Sequence, residues 1–521
     1  MNTGLQPPEF SIAYENVEDG LEAGHRRNYH ADVVVVGSGA GGAPAARRLR
    51  EAGHDVLIIE EGGLHLTPTF NTDFVGSTQR LYRDAGTSVI MGSPPIMFAE
   101  GRCVGGSTVI NGGMSWHTPE HVLDVWSRDL KLDGTDPVSM APYFAEADRI
   151  LHVEHQHPDT LGRHDDVFVR GARRLGWEVT DNPRNMHRCM GLNNCALGCP
   201  TGAKQSMLVT EIHRALAAGA GLLTHARVDR VLFERRRAVG VTGSFVDEYG
   251  RRCGRFTVRA RLVVLAAGAR HTPGILLRSR LRSPMLGRGL HTHPNAKVVG
   301  LFEERLDPWV GAHQAHQIHQ FLDEGILMAY AAVPPGILAT GIPGFGSEHG
   351  RLMARYNHML TAGCLIEDNG QGRVRLGLDR QPWMSFELST RDVETIHSGV
   401  RKVAELMFAA GASSVLLPFG DLAELDSPDQ LGRIDQRRRI KENIELMTVH
   451  IMSSARMASH DKAGPCDEAG RIRGRPGLVV ADASVIPTSV GVNPMETIVA
   501  LALRNTDRWL DDLAGSRRAA A

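Results

Sequence analysis

The chain has 521 residues, of which 42% are hydrophobic and 22% charged, with 58 basic against 59 acidic side chains. That length fits two large domains of ordinary globular composition. The charge balance gives no footprint for nucleic acid or a basic membrane patch, and no apolar run approaches the ~20 residues that span a bilayer.

Residues 1–30 are polar and lack the apolar core of a secretory signal, so an N-terminal extension and a cytoplasmic location are expected. At Asp32 the pattern changes. Val33-Val34-Val35-Val36 predicts a strand buried on both faces. The turn Gly37-x-Gly39-x-x-Gly42 follows, and Ala43 to Ala52 predicts a helix. Gly37 permits the tight turn, Gly39 lets backbone approach a pyrophosphate, and Gly42 lets the helix lie close to the strand. The helix N-terminus adds amide donors and a positive dipole. A second strand, Val56-Leu57-Ile58-Ile59, ends at Glu60, 18 residues past Gly42, near the spacing for a ribose-hydroxyl acceptor. These features predict a dinucleotide site without separating NAD from FAD.

From Glu60 to Pro95 the sequence is irregular and predicts an excursion over the surface or the cofactor. Gly101 to Gly113 then holds five glycines with Ser107, Thr108 and Asn111, a composition suited to backbone lying against a ligand. Helices are expected at Asp136 to Leu151 and Asp165 to Leu175. A buried strand from Val263 runs into a Gly268 turn and a short helix opening at Thr272. Lys297 to Glu445 differs: strand-like segments recur at Lys297–Phe302, His316–Phe321, Ile326–Ala332, Met359–Ile366 and Arg373–Leu378, followed by an amphipathic helix, Thr390 to Ala410. A last buried strand, Leu478 to Ala483, and a long helix, Pro494 to Leu513, return to the first pattern. The expected organisation is α/β: an FAD- or NAD-type Rossmann-like domain over 31–296, an inserted α+β substrate domain on an antiparallel sheet over 297–445, and a return segment over 446–515.

Several segments together resemble the glucose–methanol–choline (GMC) flavoprotein oxidoreductases. Gly101-Arg102-x-Val104-Gly105-Gly106-Ser107-Thr108-x-Ile110-Asn111 is similar to the first family signature. Gly268-Ala269-x-x-Thr272-Pro273-x-x-Leu276-Leu277-x-Ser279 is similar to the second, with Arg280 in place of the usual final Gly. His450-Ile451-Met452-Ser453-Ser454-Ala455-Arg456-Met457 resembles the catalytic His segment, with Ser453 where the family prefers Gly. Asp482-Ala483-Ser484-x-x-Pro487, then Asn493-Pro494-x-x-Thr497, resembles the closing FAD motif with its active-site Asn-Pro. Asp307-Pro308-Trp309-x-Gly311 and Cys199-Pro200-x-Gly202-Ala203-Lys204 resemble the long-chain alcohol oxidase branch.

The resemblance implies FAD rather than NAD, and oxidation of a primary or secondary alcohol to aldehyde or ketone. Glu60 is expected at the adenosine ribose, Gly105, Gly106, Ser107 and Asn111 at the flavin and phosphates, and Asp482 with Ala483 near the ribityl-diphosphate. His450 is the expected general base, because a neutral imidazole has a pKa of about 6.5, near working pH. Asn493 is expected to hold the same substrate oxygen, since its amide donates and accepts without competing for the proton. An interior structural His and a helix N-cap are the alternative roles for His450 and Asn493. No His occupies Gly101–Gly113, so FAD is expected to bind without a covalent link.

Seven cysteines, an odd number, do not read as a disulfide framework. Cys189, Cys195 and Cys199 cluster before Pro200, a spacing that resembles the three-Cys 3Fe–4S site of some sugar dehydrogenases in the family. Such a cluster would pass electrons to an external acceptor and favour an aminoglycoside or sugar alcohol dehydrogenase over an oxidase using oxygen. Zinc with His187 nearby, or inert thiols, are the alternatives. In a strand His313 and His319 would share one face, with His316 on the other, and a solvated or substrate-contacting role is favoured over metal there; by resemblance His291 and His293 approach the flavin edge. A flavin monooxygenase and a non-catalytic flavoprotein are the competing function classes.

Overall fold

The structure, a computed structural model, describes residues 14–520. The first thirteen residues of the expected N-terminal extension lie outside the described residues. Residues 17–19 and 26–30 within that stretch are strands, each added to a different sheet.

The first layer is a parallel six-stranded sheet in the order Val17–Asp19, Gly221–Thr224, Val56–Ile59, Val33–Val36, Leu262–Leu265, Leu478–Val480. Val33–Val36 is buried throughout, as a run of four Val requires when both faces are covered. Its neighbours place Val36 opposite Ile59 on one side and Leu265 on the other. The helix Gly42–Glu51 covers one face with Ala43, Ala45, Ala46 and Leu49, all fully buried. Small residues at the start of that helix let it approach the strand closely. A Cβ on Gly42 would lie 2.0 Å from the carbonyl oxygen of Gly37.

The strand Leu478–Val480 closes the same sheet more than 200 residues after its neighbour Leu262–Leu265. The return is tight. A Cβ on Gly41 would lie 1.5 Å from the carbonyl oxygen of Ala481, so the dinucleotide turn rests directly on the returning segment.

A second, four-stranded sheet was not anticipated. It runs Ala226–Glu234, Arg237–Val246, Arg252–Arg259, with Arg26–His30 added in parallel at the edge. The stretch from Glu60 to Pro95 is also more ordered than its composition suggests. The helix Phe74–Leu81 forms there because Asp73 caps it, its carboxylate accepting the Gly76 N–H at 3.1 Å.

The third layer is a ten-stranded, mainly antiparallel sheet. Its centre is Leu446–Thr448, Asn295–Leu301, Met359–Ile366, Ile326–Tyr330 and His316–Ile318. It also recruits Ser88–Ile90, Ile96–Phe98 and Thr180–Asp181, strands that precede the expected inserted region. The helix Thr390–Ala410 covers it, contacting Met359–Ile366 and Asn295–Leu301. Its ends fall where the sequence predicts. Ser389 and Asp392 form a reciprocal capping box, and Gly411 at φ 103° ends the helix in the left-handed region.

Candidate active site

Two glycine loops make the cradle. The turn at Gly37–Gly42 and the loop at Gly101–Gly113 touch where a Cβ on Gly106 would stand 3.1 Å from the Cα of Gly39. Gly39 itself faces open space, and a Cβ there would meet no protein atom within 4 Å. That opening sits at the start of the helix Gly42–Glu51, beside its amide donors.

Ser38 ties the loops together. Gly105 donates its N–H to Ser38 Oγ at 3.0 Å, and Ser38 donates in turn to Glu60 Oε2 at 2.7 Å. Glu60 also accepts the N–H groups of Ser38 at 3.1 Å and Gly62 at 2.9 Å. It is buried, and burial pushes its carboxyl pKa up against those three donors. Sequence reasoning passed over Ser38, which has the x position of the glycine motif and carries no spacing signal.

The other expected cofactor residues divide into two groups. Ser107 turns inward to its own loop, where its Oγ accepts the Gly101 N–H at 3.0 Å. Asp482 is likewise committed, accepting from Gly268 N at 2.9 Å, Ser484 N at 2.8 Å and the Thr272 hydroxyl. Asn111 is different. Its Nδ2 donates to Met495 Sδ at 3.0 Å, while its buried Oδ1 has no partner. An orphaned acceptor beside the flavin loop, the open space over Gly39 and the buried Glu60 fit FAD.

The segment that follows His450 is held between two others. Met452 and His291 exchange backbone hydrogen bonds at 3.1 Å, and Ser453, Ala455 and Met457 donate to the carbonyls of Ala483, Ser484 and Val485. Ser453 sits at φ +71°, and Arg280, the other departure from a family glycine, at φ +60°. Both substitutions keep the left-handed backbone that Gly adopts freely.

His450 and Asn493 meet across this frame, with His450 Nε2 3.3 Å from Asn493 Nδ2. On the other side His450 Nδ1 lies 3.2 Å from His293 Nδ1. His293 Nε2 reaches Ser489 Oγ at 2.9 Å, and Ser489 Oγ reaches the buried carboxylate of Asp368 at 3.3 Å. The Gly491 N–H also points at His293 Nε2, at 3.2 Å. Asp368 further pairs with His291 Nδ1 at 2.9 Å and accepts the N–H of His293 at 3.2 Å. Burial, reinforced by His293, brings the pKa of His450 down to about 3. Burial likewise lowers that of His293 to about 4, with Asp368 opposing. Both rings are therefore neutral at physiological pH.

The clustered cysteines do not converge. Among the described residues, no group of three metal-ligand atoms within 4.8 Å includes them, which removes a preformed tetrahedral zinc site. Cys195 Sγ lies 3.6 Å from Arg184 Nη2, and Cys199 Sγ accepts the Lys204 N–H at 3.5 Å. Neither this geometry nor the relatives below support an iron–sulfur cluster. What the segment does is brace the Gly101–Gly113 loop. Buried Lys204 donates from Nζ to the carbonyls of Val109 at 2.6 Å, Asn111 at 2.9 Å and Cys195 at 2.5 Å. The His313, His316 and His319 series does not converge either. His316 bridges Asp165 and Asp181 at 2.8 and 3.0 Å, while His319 packs on Trp116.

Comparison with known proteins bears on this geometry. Residues 78–295 and 368–502 match the models for GMC oxidoreductase, and residues 32–70 match an FAD binding domain. An uncharacterized GMC-type oxidoreductase of Mycobacterium tuberculosis is 34% identical over 490 residues, covering 94% of this chain and 77% of the relative. A long-chain-alcohol oxidase of Arabidopsis thaliana is 29% identical, covering 92% and 67%. The fold is shared with pyridoxine 4-oxidase from Mesorbium loti, with a TM-score of 0.70 at 17% identity, covering 92% of this chain and 99% of that one.

Proposed function

The chain belongs to the GMC oxidoreductase family, and from that premise we propose that it oxidises an alcohol at a CH–OH carbon, with His450 as general base. The observation that carries this reading is the His450–Asn493 pair, 3.3 Å apart and backed by His293. Bound FAD supplies the hydride acceptor, held without a covalent bond by the Gly37–Gly42 turn, Glu60 and the Gly101–Gly113 loop.

The residues of the chain handle the proton. His293 meets His450 through their Nδ1 atoms, its Nε2 accepts the Gly491 N–H, and Ser489 donates to Asp368 behind it. His450 Nε2, which faces Asn493, is the nitrogen that takes the substrate hydroxyl proton. Asn493 donates its amide N–H to the same oxygen and fixes its direction. A base of low intrinsic pKa takes the proton as the carbon loses hydride, and the His293–Ser489–Asp368 chain stabilises the imidazolium that forms. His293 is a positioning residue: it holds the His450 ring through the Nδ1–Nδ1 contact. The oxidase name of the Arabidopsis relative supports oxygen as the acceptor that restores the cofactor.

His450→Ala is expected to retain FAD and to lose about 10²–10⁴-fold in alcohol oxidation, the usual size of a general-base contribution. The measurement is anaerobic bleaching of the bound flavin by a panel of primary and secondary alcohols, followed by reoxidation in air. Wild-type turnover in this variant would remove His450 from the mechanism.

A further inference from the structure

Three acidic or imidazole side chains from distant parts of the chain converge at His117, Asp148 and Glu496. Asp148 lies on the helix Pro137–Leu151, Glu496 on the first turn of Met495–Ala520, and His117 precedes the helix Glu120–Asp124. His117 Nε2 stands 3.1 Å from Asp148 Oδ2 and 3.8 Å from Glu496 Oε1. One donor atom from each residue lies within 4.8 Å of the other two. We propose that His117, Asp148 and Glu496 bind a divalent first-row transition cation.

Geometry favours an ion here. Two metal bonds of about 2.1 Å, meeting at 90–110°, hold their donor atoms roughly 3.0–3.4 Å apart. The His117–Asp148 separation falls in that range, and the Glu496 distance closes to it with a small rotation of the carboxylate. Glu496 supplies a second, independent observation. It is fully buried, no N–H or hydroxyl donates to either of its carboxylate oxygens among the described residues, and the neighbouring polar group is the carboxyl of Asp148. Natural proteins leave few buried polar groups unpaired, and two carboxyl groups facing each other with no donor to either oxygen of the buried one make a place for a cation.

The surroundings suit a resident ion. His117 is half exposed, so a hydrated cation has a route in. Its ring stacks on Phe144 with centroids 4.6 Å apart, which fixes its direction. The hydroxyls of Thr118 and Thr497 meet at 2.8 Å beside it and hold the two segments together. One imidazole and two carboxylates suit zinc, manganese or cobalt, with water completing the coordination, better than calcium or magnesium, which prefer oxygen alone.

The alternative is a proton shared between Asp148 and Glu496 with no metal. The FAD-loaded full chain, stripped by chelator and dialysed, would be titrated with Zn²⁺ and its metal content measured. Wild type is expected to take up one equivalent more than Glu496→Gln, and to gain thermal stability on zinc addition that this variant lacks. Gln keeps the shape and hydrogen bonding of a neutral acid, so folding and flavin absorbance should survive. His117→Ala, at a half-exposed position, serves the same comparison if Glu496→Gln does not fold. Equal zinc uptake by wild type and variant, or no uptake by either, would overturn the site.

Discussion

Replacing Ser453 by Gly should stabilise the protein although it removes a side chain from a buried position. Ser453 is fully buried at φ +71°, and its hydroxyl has no hydrogen-bond partner. Its N–H donates to the Ala483 carbonyl at 3.0 Å, so the backbone cannot relax without breaking the frame around His450. A left-handed conformation costs a residue with a Cβ about 1–2 kcal/mol. An unpaired buried hydroxyl costs roughly 1–3 kcal/mol more. Gly returns about 0.5–1 kcal/mol of that through the greater freedom of the unfolded chain. The net expectation is a gain of about 1–4 kcal/mol, and with an unfolding entropy near 2.1 cal/mol/K per residue this is roughly 1–4 °C for a chain this long. Urea unfolding of the FAD-bound protein, followed by the midpoint at constant slope, measures it. Ser453→Ala is the control, because it removes the hydroxyl but keeps the Cβ. If Gly proves no more stable than Ala, backbone conformation is not the source of the strain and the reasoning fails.

Stability should also depend on pH through the buried histidines. His293 has its folded pKa lowered to about 4 against 6.5 when unfolded, so the unfolded chain binds the extra proton. Its contribution is intact above pH 6.5 and falls by about 1.4 kcal/mol per unit as the pH drops towards 4. Unfolding free energies between pH 7.5 and 5 should show this slope, and His293→Gln should reduce it by close to one proton; an unchanged slope in the variant would contradict the assignment. For the same reason kcat/KM should show no acid limb near pH 6.5, since His450 stays neutral well below it. Ser38→Ala breaks the links from Gly105 and to Glu60, two buried hydrogen bonds worth about 2–3 kcal/mol together, and should weaken FAD binding about 30–150-fold in a titration of apoprotein. Undiminished affinity would mean that the two loops hold their positions independently.

The elements whose signals are local were legible in the sequence. Val33–Val36, Met359–Ile366 and Thr390–Ala410 announce themselves by burial, alternation or capping residues that sit within a few positions of each other. The sheet over 226–259 did not. Ala226–Glu234 carries Arg227, Asp229 and Arg230, and register shifts between Val228 and Arg230 and between Leu232 and Phe233 break its alternation. Motif resemblance located the His450 and Asn493 segments, but the contacts that equip them are tertiary. Nothing near Ser38 in sequence points to Gly105, and nothing near His293 points to His450. Departures from the family pattern were informative in an unexpected direction. Arg280 and Ser453 replace glycines, yet each holds a positive φ, so the backbone is retained and the residue bears the strain.

The contact of Gly41 with Ala481 fixes an order of events during synthesis. The dinucleotide turn leaves the ribosome 440 residues before the segment it rests on. At roughly 5–20 residues per second that interval is about 20–90 s. Until it closes, the turn lacks one wall, the sheet lacks the strand Leu478–Val480, and Asn493 does not yet exist. Cofactor capture thus waits on the returning segment: a nascent chain stalled before Leu478 would expose the edge of Leu262–Leu265 and lack the wall that Ala481 supplies to the turn.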